Sequence, residues 1–160
     1  MSTQTPRDEA ITAAGLKALE AQLNMLQNEG RRAVAERILA AREEGDLKEN
    51  AEYHIAKDDQ AHLETKIKRL RERIRKAVVV QTDRAGRTFS FGRTAEVLDE
   101  ASGTVYTWTI VGATEADLAK GMLSAESPVA NALLGRSPGE AVDVETPGGP
   151  RKYRVQKLLS

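Results

Sequence analysis

Residues 53–77, YHIAKDDQAHLETKIKRLRERIRKA, decide the first half of the fold. Mostly apolar or small side chains recur along them at alternating steps of three and four residues, which is the spacing of a coiled-coil seam. The seam positions are Tyr53, Ala56, Gln60, Leu63, Ile67, Leu70, Ile74 and Ala77. The pattern predicts one long helix that packs against a partner helix.

A second seam precedes this one. Its positions are Leu16, Leu19, Leu23, Leu26, Gly30, Val34, Ile38 and Ala41. The steps alternate up to Leu26 and are then four residues long as far as Ile38, a change of period that alters a supercoil locally. Residues 12–44 are therefore predicted to form the partner helix, which at about 1.5 Å per residue is about 50 Å long.

A short segment, residues 45–50, joins the two seams. Glycine commonly follows the end of a helix, and Asp46 with Glu49 three residues later has the spacing of a capping box at the start of the next. Two long helices joined by so short a turn are predicted to form an antiparallel coiled-coil hairpin, assigned to residues 1–77. Its tip, residues 43–52, is acidic, with the charged side chains Glu43, Glu44, Asp46, Lys48, Glu49 and Glu52.

The second half of the chain, residues 78–160, has a different pattern. Short runs rich in β-branched residues alternate with turn residues and predict strands near 77–82, 95–98, 105–111, 141–145 and 152–158. One short helix is predicted between them, with Ser127 as its cap, Pro128 in its first turn and Gly135 as its stop. The fold class is therefore α+β: a helical hairpin followed by a small antiparallel β-sheet domain, on which the helix packs through Val129, Leu133 and Leu134.

The composition excludes several classes of function. The chain of 160 residues has no cysteine, so disulfides, thiolate metal sites and thiol nucleophiles are excluded. Basic and acidic residues number 24 each, so the whole molecule has no net field that would attract nucleic acid or an anionic membrane. The first residues lack the pattern of a secretory signal and are expected to fray as far as residue 10, and no apolar run is long enough to span a bilayer. A cytoplasmic protein without membrane association is expected.

The charged residues of the hairpin each allow two interpretations. Asp46 and Glu49 are spaced to share one Mg²⁺, but acids at a helix start also cap the helix and interact favourably with its dipole. Arg42 and Lys57 are placed near the tip to contact nucleic acid, or to neutralise neighbouring acids. The basic stretch 66–76 is interpreted as a solvated or paired coiled-coil face rather than a phosphate-binding surface. Spacing alone does not decide between the two interpretations of the acidic pair.

Three motifs together resemble the bacterial transcript cleavage factors of the Gre family. They are AREEGDLKENAEYH at 41–54, SPVA at 127–130 continued by ALLG at 132–135, and VETPGG at 144–149, and they occur in the family's order over nearly the whole chain. The resemblance implies a coiled-coil arm and a C-terminal domain similar in fold to FK506-binding proteins. It also implies a partner, bacterial RNA polymerase, whose secondary channel the arm enters while the C-terminal domain docks at the channel rim.

The resemblance assigns roles to individual residues. Asp46 and Glu49 match the acids thought to hold a second Mg²⁺ in the polymerase active site, where the extruded 3′ end of backtracked RNA is cleaved. Arg42 and Lys57 become candidates for contact with that RNA. The candidates for contact with the polymerase rim are Glu126, Ser127 and Pro128. At Asn131 the family usually has arginine, a departure that bears on rim affinity.

By this interpretation the protein is not an enzyme on its own, binds no cofactor when free, is a monomer when free, and rescues arrested complexes by stimulating the polymerase's own cleavage activity. Three rival hypotheses remain. The first is a channel-binding regulator that inhibits polymerase without stimulating cleavage. The second is a coiled-coil adaptor that binds a helix or RNA directly. The third is an autonomous Mg²⁺-dependent nuclease.

Overall fold

A computed structural model describes residues 9–45 and 50–160 of the chain. These residues form two compact units. One is helical and spans Leu16–Lys76, and the other combines the described residues up to Gly15 with Ala77–Ser160. The division into domains at residues 77 and 78, drawn from the sequence, stays a prediction.

Both long helices predicted from the seams are present. The first comprises α1 (Ala13–Met25), a π-helical turn (Leu26–Gly30) and α2 (Arg31–Glu43), and the second is α3 (Ala51–Lys76). The π-helical turn lies where the seam changes to steps of four residues. A π turn takes more residues than an α turn, so it keeps the apolar stripe on one side of the helix when the spacing lengthens.

Side-chain pairs between α2 and α3 show that the hairpin is antiparallel. Arg37 pairs with Asp59 at 2.8 Å, and Arg31 pairs with Glu64 through two bonds of 2.9 Å. The partners on α3 rise in number as those on α2 fall. Ile38, Ala41, Ala56, Ile67 and Leu70 are the buried residues of the two helices. Since all four charged side chains are about half exposed, the apolar seam contributes most of the stability, and the pairs fix the register.

The second unit is built on a five-stranded sheet in the order β5-β4-β3-β7-β6. Its strands are β3 (Thr94–Asp99), β4 (Val105–Val111), β5 (Met122–Ser124), β6 (Ala141–Thr146) and β7 (Gly149–Leu158). Helix α4 (Pro128–Leu133) begins at Ser127, whose hydroxyl accepts from the backbone N–H of Ala130. Leu133 and Ala130 are fully buried in the core, with Val129 and Leu134 packed against it. The predicted α+β class and the predicted packing of the short helix are confirmed.

Three details of the predicted sheet domain were wrong. The sheet is mixed, because the short strand β5, which was not predicted, runs parallel to β4. The strand predicted at 77–82 is reduced to β2 (Val78–Val79), which lies outside the main sheet. It pairs in parallel with β1 (Ala10–Ile11), so Ala10 belongs to a strand, contrary to the expected fraying. Ile11 is 1% exposed, and this burial is what holds the strand in place.

Within the second unit, Glu115 fixes the residues at the start of α1, from Thr12 to Gly15. The Glu115 carboxylate accepts from the backbone N–H of Thr12 at 3.0 Å and of Gly112 at 2.9 Å, and also from the Thr12 hydroxyl. The Thr12 hydroxyl in turn accepts from the N–H of Gly15 and so caps the helix. Donors at the helix start that would otherwise lack partners are satisfied in this way.

Replacing Gly112 with alanine is expected to displace β1. An added Cβ would overlap the carbonyl oxygen of Ala10, which belongs to the backbone and has little freedom to move. Overpacking of this kind costs about 1–3 kcal/mol, so we expect a lower urea midpoint and faster amide exchange at Ile11. Gly148→Ala is the control, because its added Cβ meets nothing closer than 3.9 Å. Equal stability of the two variants would contradict the proposed contact.

A second prediction concerns acid stability. Asp99 is 0% exposed, and its carboxylate accepts from Arg151 at 2.5 Å and from the backbone N–H of Ala101 at 3.0 Å. Burial by itself raises the pKa of Asp99, but the bonds from Arg151, Ala101 and Ser102 outweigh it, so the pKa lies below its usual value. With the folded pKa below the unfolded one, the stabilisation is complete above the unfolded pKa and is lost as the pH falls through the folded pKa.

The expected result is a urea midpoint that falls below about pH 4 in the wild type. The Asp99→Asn variant should be less stable than the wild type at pH 7, and the difference should shrink as the pH is lowered. Other acids with lowered pKa, such as Glu140, contribute equally to both proteins and cancel in the comparison. If the urea midpoints of the wild type and Asp99→Asn differed by the same amount at every pH, Asp99 would not be the source of the lost stability in acid.

Candidate functional site

At the base of the tip, the side chain of Asn50 contacts both helices of the hairpin. The two acids assigned to the tip, Asp46 and Glu49, lie outside the described residues. Immediately after them, the side-chain oxygen of Asn50 accepts from the backbone N–H of Tyr53 at 3.1 Å, and its side-chain NH₂ donates to the carbonyl of Ala41. Asn50 therefore caps α3 and contacts the last turns of α2 with the same side chain.

From its spacing to Glu49, Asp46 was predicted to cap this helix, and it is not among the described residues. The cap that the structure describes for α3 is Asn50, since α3 begins at Ala51 and the N–H of His54 bonds to the Asn50 carbonyl at 3.2 Å. Asparagine is among the best capping residues, and this signal was present in the sequence. The sequence alone does not single out Asn50, because several residues between Gly45 and Ala51 have capping side chains and spacing does not distinguish them.

Arg42 contacts α3 directly. Its guanidinium carbon lies 5.8 Å from the centre of the Tyr53 ring, within the range of a cation–π interaction. Tyr53 is half-buried and meets the His54 ring edge-on at 5.6 Å. The ring of Tyr53 is thus engaged in packing at the base of the tip, which agrees with its position in the seam.

Arg42 and Lys57, the two predicted RNA contacts, are brought together on one side of the hairpin. They line the same shallow groove between α2 and α3, whose other residues are Ala35, Ile38, Leu39 and Gln60. The ammonium of Lys57 donates to the side chain of Gln60 at 3.0 Å. Leu39 is 59% exposed in this groove, a feature that sequence reasoning missed because Leu39 lies off the seam. The groove therefore combines an exposed leucine with two cationic side chains, and cations of this kind attract phosphate oxygens.

A different groove near the tip has mixed charge. It is lined by Arg37, Ala40, Ala41, Glu44, Glu52, Ile55 and Ala56. Ile55 is 55% exposed there, so each of the two grooves presents one large apolar side chain to solvent. Arg37 is already paired with Asp59, which leaves Glu44 and Glu52 as the charges that set the sign of this surface. The groove lined by Arg42 and Lys57 is therefore positively charged, whereas the groove lined by Glu44 and Glu52 has a net negative charge.

Farther along the hairpin, many basic side chains are paired. The bonds from Arg31 lower the pKa of Glu64, and those from Arg75 lower the pKa of Glu72. Arg71 donates from Nε at 2.9 Å to the side chain of Gln27 when the amide oxygen of Gln27 faces it. For Arg71 and Arg75, the structure thus shows the pairing that the sequence analysis favoured over phosphate binding.

The candidates for polymerase contact cluster at the start of α4. Glu126 and Pro128 are exposed, and Ser127 is half-buried because its side chain caps the helix and donates to the Ser124 carbonyl at 2.7 Å. Asn131 is exposed and its side-chain NH₂ donates to the carbonyls of Glu126 and Ser127, both at 3.2 Å. Asn131 therefore stabilises the backbone of the candidate docking turn.

Neither a metal-binding cluster nor a membrane-spanning helix occurs among the described residues. Over residues 9–45 and 50–160, no three His, Cys, Asp or Glu side chains converge in a way that would hold a metal ion. Among the helices in the same ranges, none combines the length and apolar character needed to cross a bilayer.

Comparison with known proteins identifies the family. A model described as transcription elongation factor, N-terminal, matches residues 9–79, and one described as transcription elongation factor, GreA/GreB, C-term, matches residues 84–159. Transcription elongation factor GreA of Bradyrhizobium diazoefficiens is 41% identical over 149 residues, which cover 92% of this chain and 95% of the relative. The GreA protein of Cereibacter sphaeroides is 43% identical over 145 residues, covering 91% and 93%.

Among solved structures, GreA factor homolog 1 of Thermus thermophilus is 26% identical, with a TM-score of 0.42 and coverage of 94% of this chain and 98% of that one. The two family models and the GreA relatives confirm the resemblance inferred from the three sequence motifs. The chain belongs to the GreA/GreB family of transcription elongation factors.

Proposed function

We propose that this protein binds bacterial RNA polymerase in the cytoplasm, inserts its hairpin into the secondary channel and stimulates cleavage of backtracked RNA. The observation that carries the proposal is the intact motif at 41–54, with both Asp46 and Glu49, in a chain of the GreA/GreB family.

The chemistry of the two acids fits a shared Mg²⁺ site. Mg²⁺ prefers oxygen ligands, keeps several waters and is usually held by one or two protein carboxylates together with phosphate oxygens. When bound, a second metal ion stabilises the attacking and leaving oxygens of an in-line phosphodiester hydrolysis. Asp46 and Glu49 would supply carboxylates to that ion only in the complex, so the free protein needs no cofactor. In such a hydrolysis water would attack the phosphorus, the P–O3′ bond would break, the upstream RNA would end in a protonated 3′-hydroxyl, and the phosphate would stay on the 5′ end of the released fragment.

The hairpin has the dimensions of an arm that reaches into a channel. Helix α3 has 26 residues and is thus about 39 Å long at about 1.5 Å per residue. Two packed helices are about 20 Å across, since each is about 10 Å wide. Near the tip, Arg42 and Lys57 face the same groove, which supports the proposal that both contact the extruded RNA.

Docking is proposed to use the turn before α4. Glu126 and Pro128 are exposed while the backbone between them and Ser124 is braced by hydrogen bonds, so the turn presents a fixed surface. Most binding partners of this kind move little on association when the surface is rigid. The free protein is proposed to be a monomer that binds polymerase through this turn.

The proposal is tested by comparing naked RNA with RNA in a stalled polymerase complex, each incubated with the protein and Mg²⁺. We expect the RNA to be shortened only in the complex, because two carboxylates without the polymerase site do not assemble a two-metal centre. Polymerase alone measures the intrinsic rate. Hydrolysis of naked RNA at a comparable rate would instead establish an autonomous nuclease.

A further inference from the structure

Asn50 links the two helices of the hairpin at the base of its tip. Its side chain donates to the carbonyl of Ala41 on α2 and accepts from the N–H of Tyr53 on α3. Ala41 and Asn50 are nine positions apart in the chain, and both belong to the part that the structure describes. One amide group therefore links the last turn of α2 to the first turn of α3.

The contact is well supported by its surroundings. Ala41 is 4% exposed, and its carbonyl also accepts from the N–H of Glu44 at 3.3 Å, so the acceptor lies in the ordered end of α2. Asn50 is half-buried. The Arg42 guanidinium lies over the Tyr53 ring and makes a second link between the same two helix ends. Two independent contacts thus close the base of the tip.

Resting on the proposed function, we propose that Asn50 is a positioning residue for cleavage, because it holds together the two ends of the segment that carries Asp46 and Glu49. It touches neither RNA nor metal in this role. Carboxylates that share a metal ion must be placed precisely, and a misplacement of about 1 Å can reduce a rate about 100-fold. Asn50 directly follows Glu49 in the chain, so its side chain anchors the segment right beside one of the two acids.

Asparagine suits this role better than other capping residues. Its side chain has both an acceptor and NH₂ donors, and the two hydrogen bonds use one of each. Serine caps helices well, but its hydroxyl is one bond shorter and does not reach the Ala41 carbonyl while it accepts from Tyr53. Aspartate also caps, but an ionised carboxylate only accepts and is repelled by a carbonyl oxygen. Both substitutions therefore keep the cap and remove the link.

The experiment compares wild type, Asn50→Ser and Asn50→Asp in cleavage by a stalled polymerase complex, with factor and Mg²⁺ titrated separately. We expect the maximal cleavage rate of both variants to fall about tenfold, since the link that sets the position of the acids is lost. The half-saturating Mg²⁺ concentration should rise, because poorly placed ligands bind the shared ion more weakly. The half-saturating factor concentration should stay within about twofold, because rim docking does not use Asn50.

Thr65→Ala is the matched control. It removes one side-chain hydrogen bond from α3, the bond from the Thr65 hydroxyl to the Ala61 carbonyl at 3.0 Å, but no link between the helices. Its cleavage rate and Mg²⁺ dependence should match the wild type. Helix content and thermal midpoint are measured for every variant, and a loss of activity that follows lost helicity would overturn the inference.

The outcomes separate this inference from the proposed function. If wild type stimulates cleavage and the Asn50 variants match it in rate and Mg²⁺ dependence, Asn50 is not a positioning residue, and the proposed function stands. If wild type itself fails to stimulate cleavage, both are overturned. A slower maximal rate with a raised Mg²⁺ requirement and unchanged docking supports the inference.

Discussion

Replacing Asp46 with asparagine and Glu49 with glutamine together is expected to abolish stimulated RNA cleavage, with a loss of about 100-fold or more. The two amides keep the size of the side chains but remove both charges from the shared Mg²⁺ site, and metal stabilisation of a phosphodiester transition state contributes several kcal/mol. Transcript shortening in a stalled complex, followed with 5′-labelled RNA, measures the effect. The variant should still bind polymerase normally. In a competition with wild-type protein for polymerase, the two should therefore show the same half-saturating concentration.

The control for this prediction removes two charges from the same hairpin away from its tip. Glu29 and Glu36 are exposed on the π-helical turn and on α2, and the double variant Glu29→Gln, Glu36→Gln changes the net charge by the same amount. It should keep nearly full activity, because exposed charges at this distance are screened at physiological salt. If the tip variant and this control were equally active, Asp46 and Glu49 would have no role in cleavage.

Replacing Phe89 with alanine is expected to cost about 3–5 kcal/mol of the free energy of unfolding, the usual range for a buried phenylalanine. Phe89 is 0% exposed and packs in the core between the sheet and α4. Its backbone also bonds on both sides to the residues after α4, through Gly135 and Arg136 at 2.8 Å each. The cavity would therefore loosen the helix that carries the candidate docking turn.

Trp108 is the single tryptophan of the chain and reports this unfolding, since it is 7% exposed in the same core. Its fluorescence in a urea titration should show a large fall in the midpoint for Phe89→Ala. Val105→Thr, at a position that is 49% exposed on β4, is the control and should change stability by less than about 0.5 kcal/mol. A Phe89 variant as stable as the control would show that the core does not depend on this side chain.

The helices could be predicted from the sequence because their signal is repeated many times. On α3 eight seam positions agree on one period, so a single exception such as Gln60 does not change the result, and on the first helix the seam is regular on each side of Leu26. The shift of the seam after Leu26 even marked the place of the π-helical turn. The strands β4 and β7 were likewise predicted from runs of β-branched residues bounded by turns.

What the sequence did not predict depends on contacts between distant residues. Strand β5 has three residues, too few for a periodic signal, and it forms because it pairs with β4. The pairing of Ala10 with Val78 joins residues on either side of the whole hairpin. At the site, the motif identified the family and the tip acids, but it gave no reason to choose Asn50 as the cap, since the link to Ala41 exists only after the hairpin has folded.

The proposed role in cleavage is tested most directly by RNA labelled at both ends in a polymerase complex stalled with its 3′ end extruded. With wild-type protein and Mg²⁺, we predict release of a short 3′ fragment, a shortened 5′ RNA, and renewed extension of that RNA when nucleotides are added. RNA that keeps its full length while nucleotide addition slows would contradict the account and establish an inhibitor of the polymerase instead.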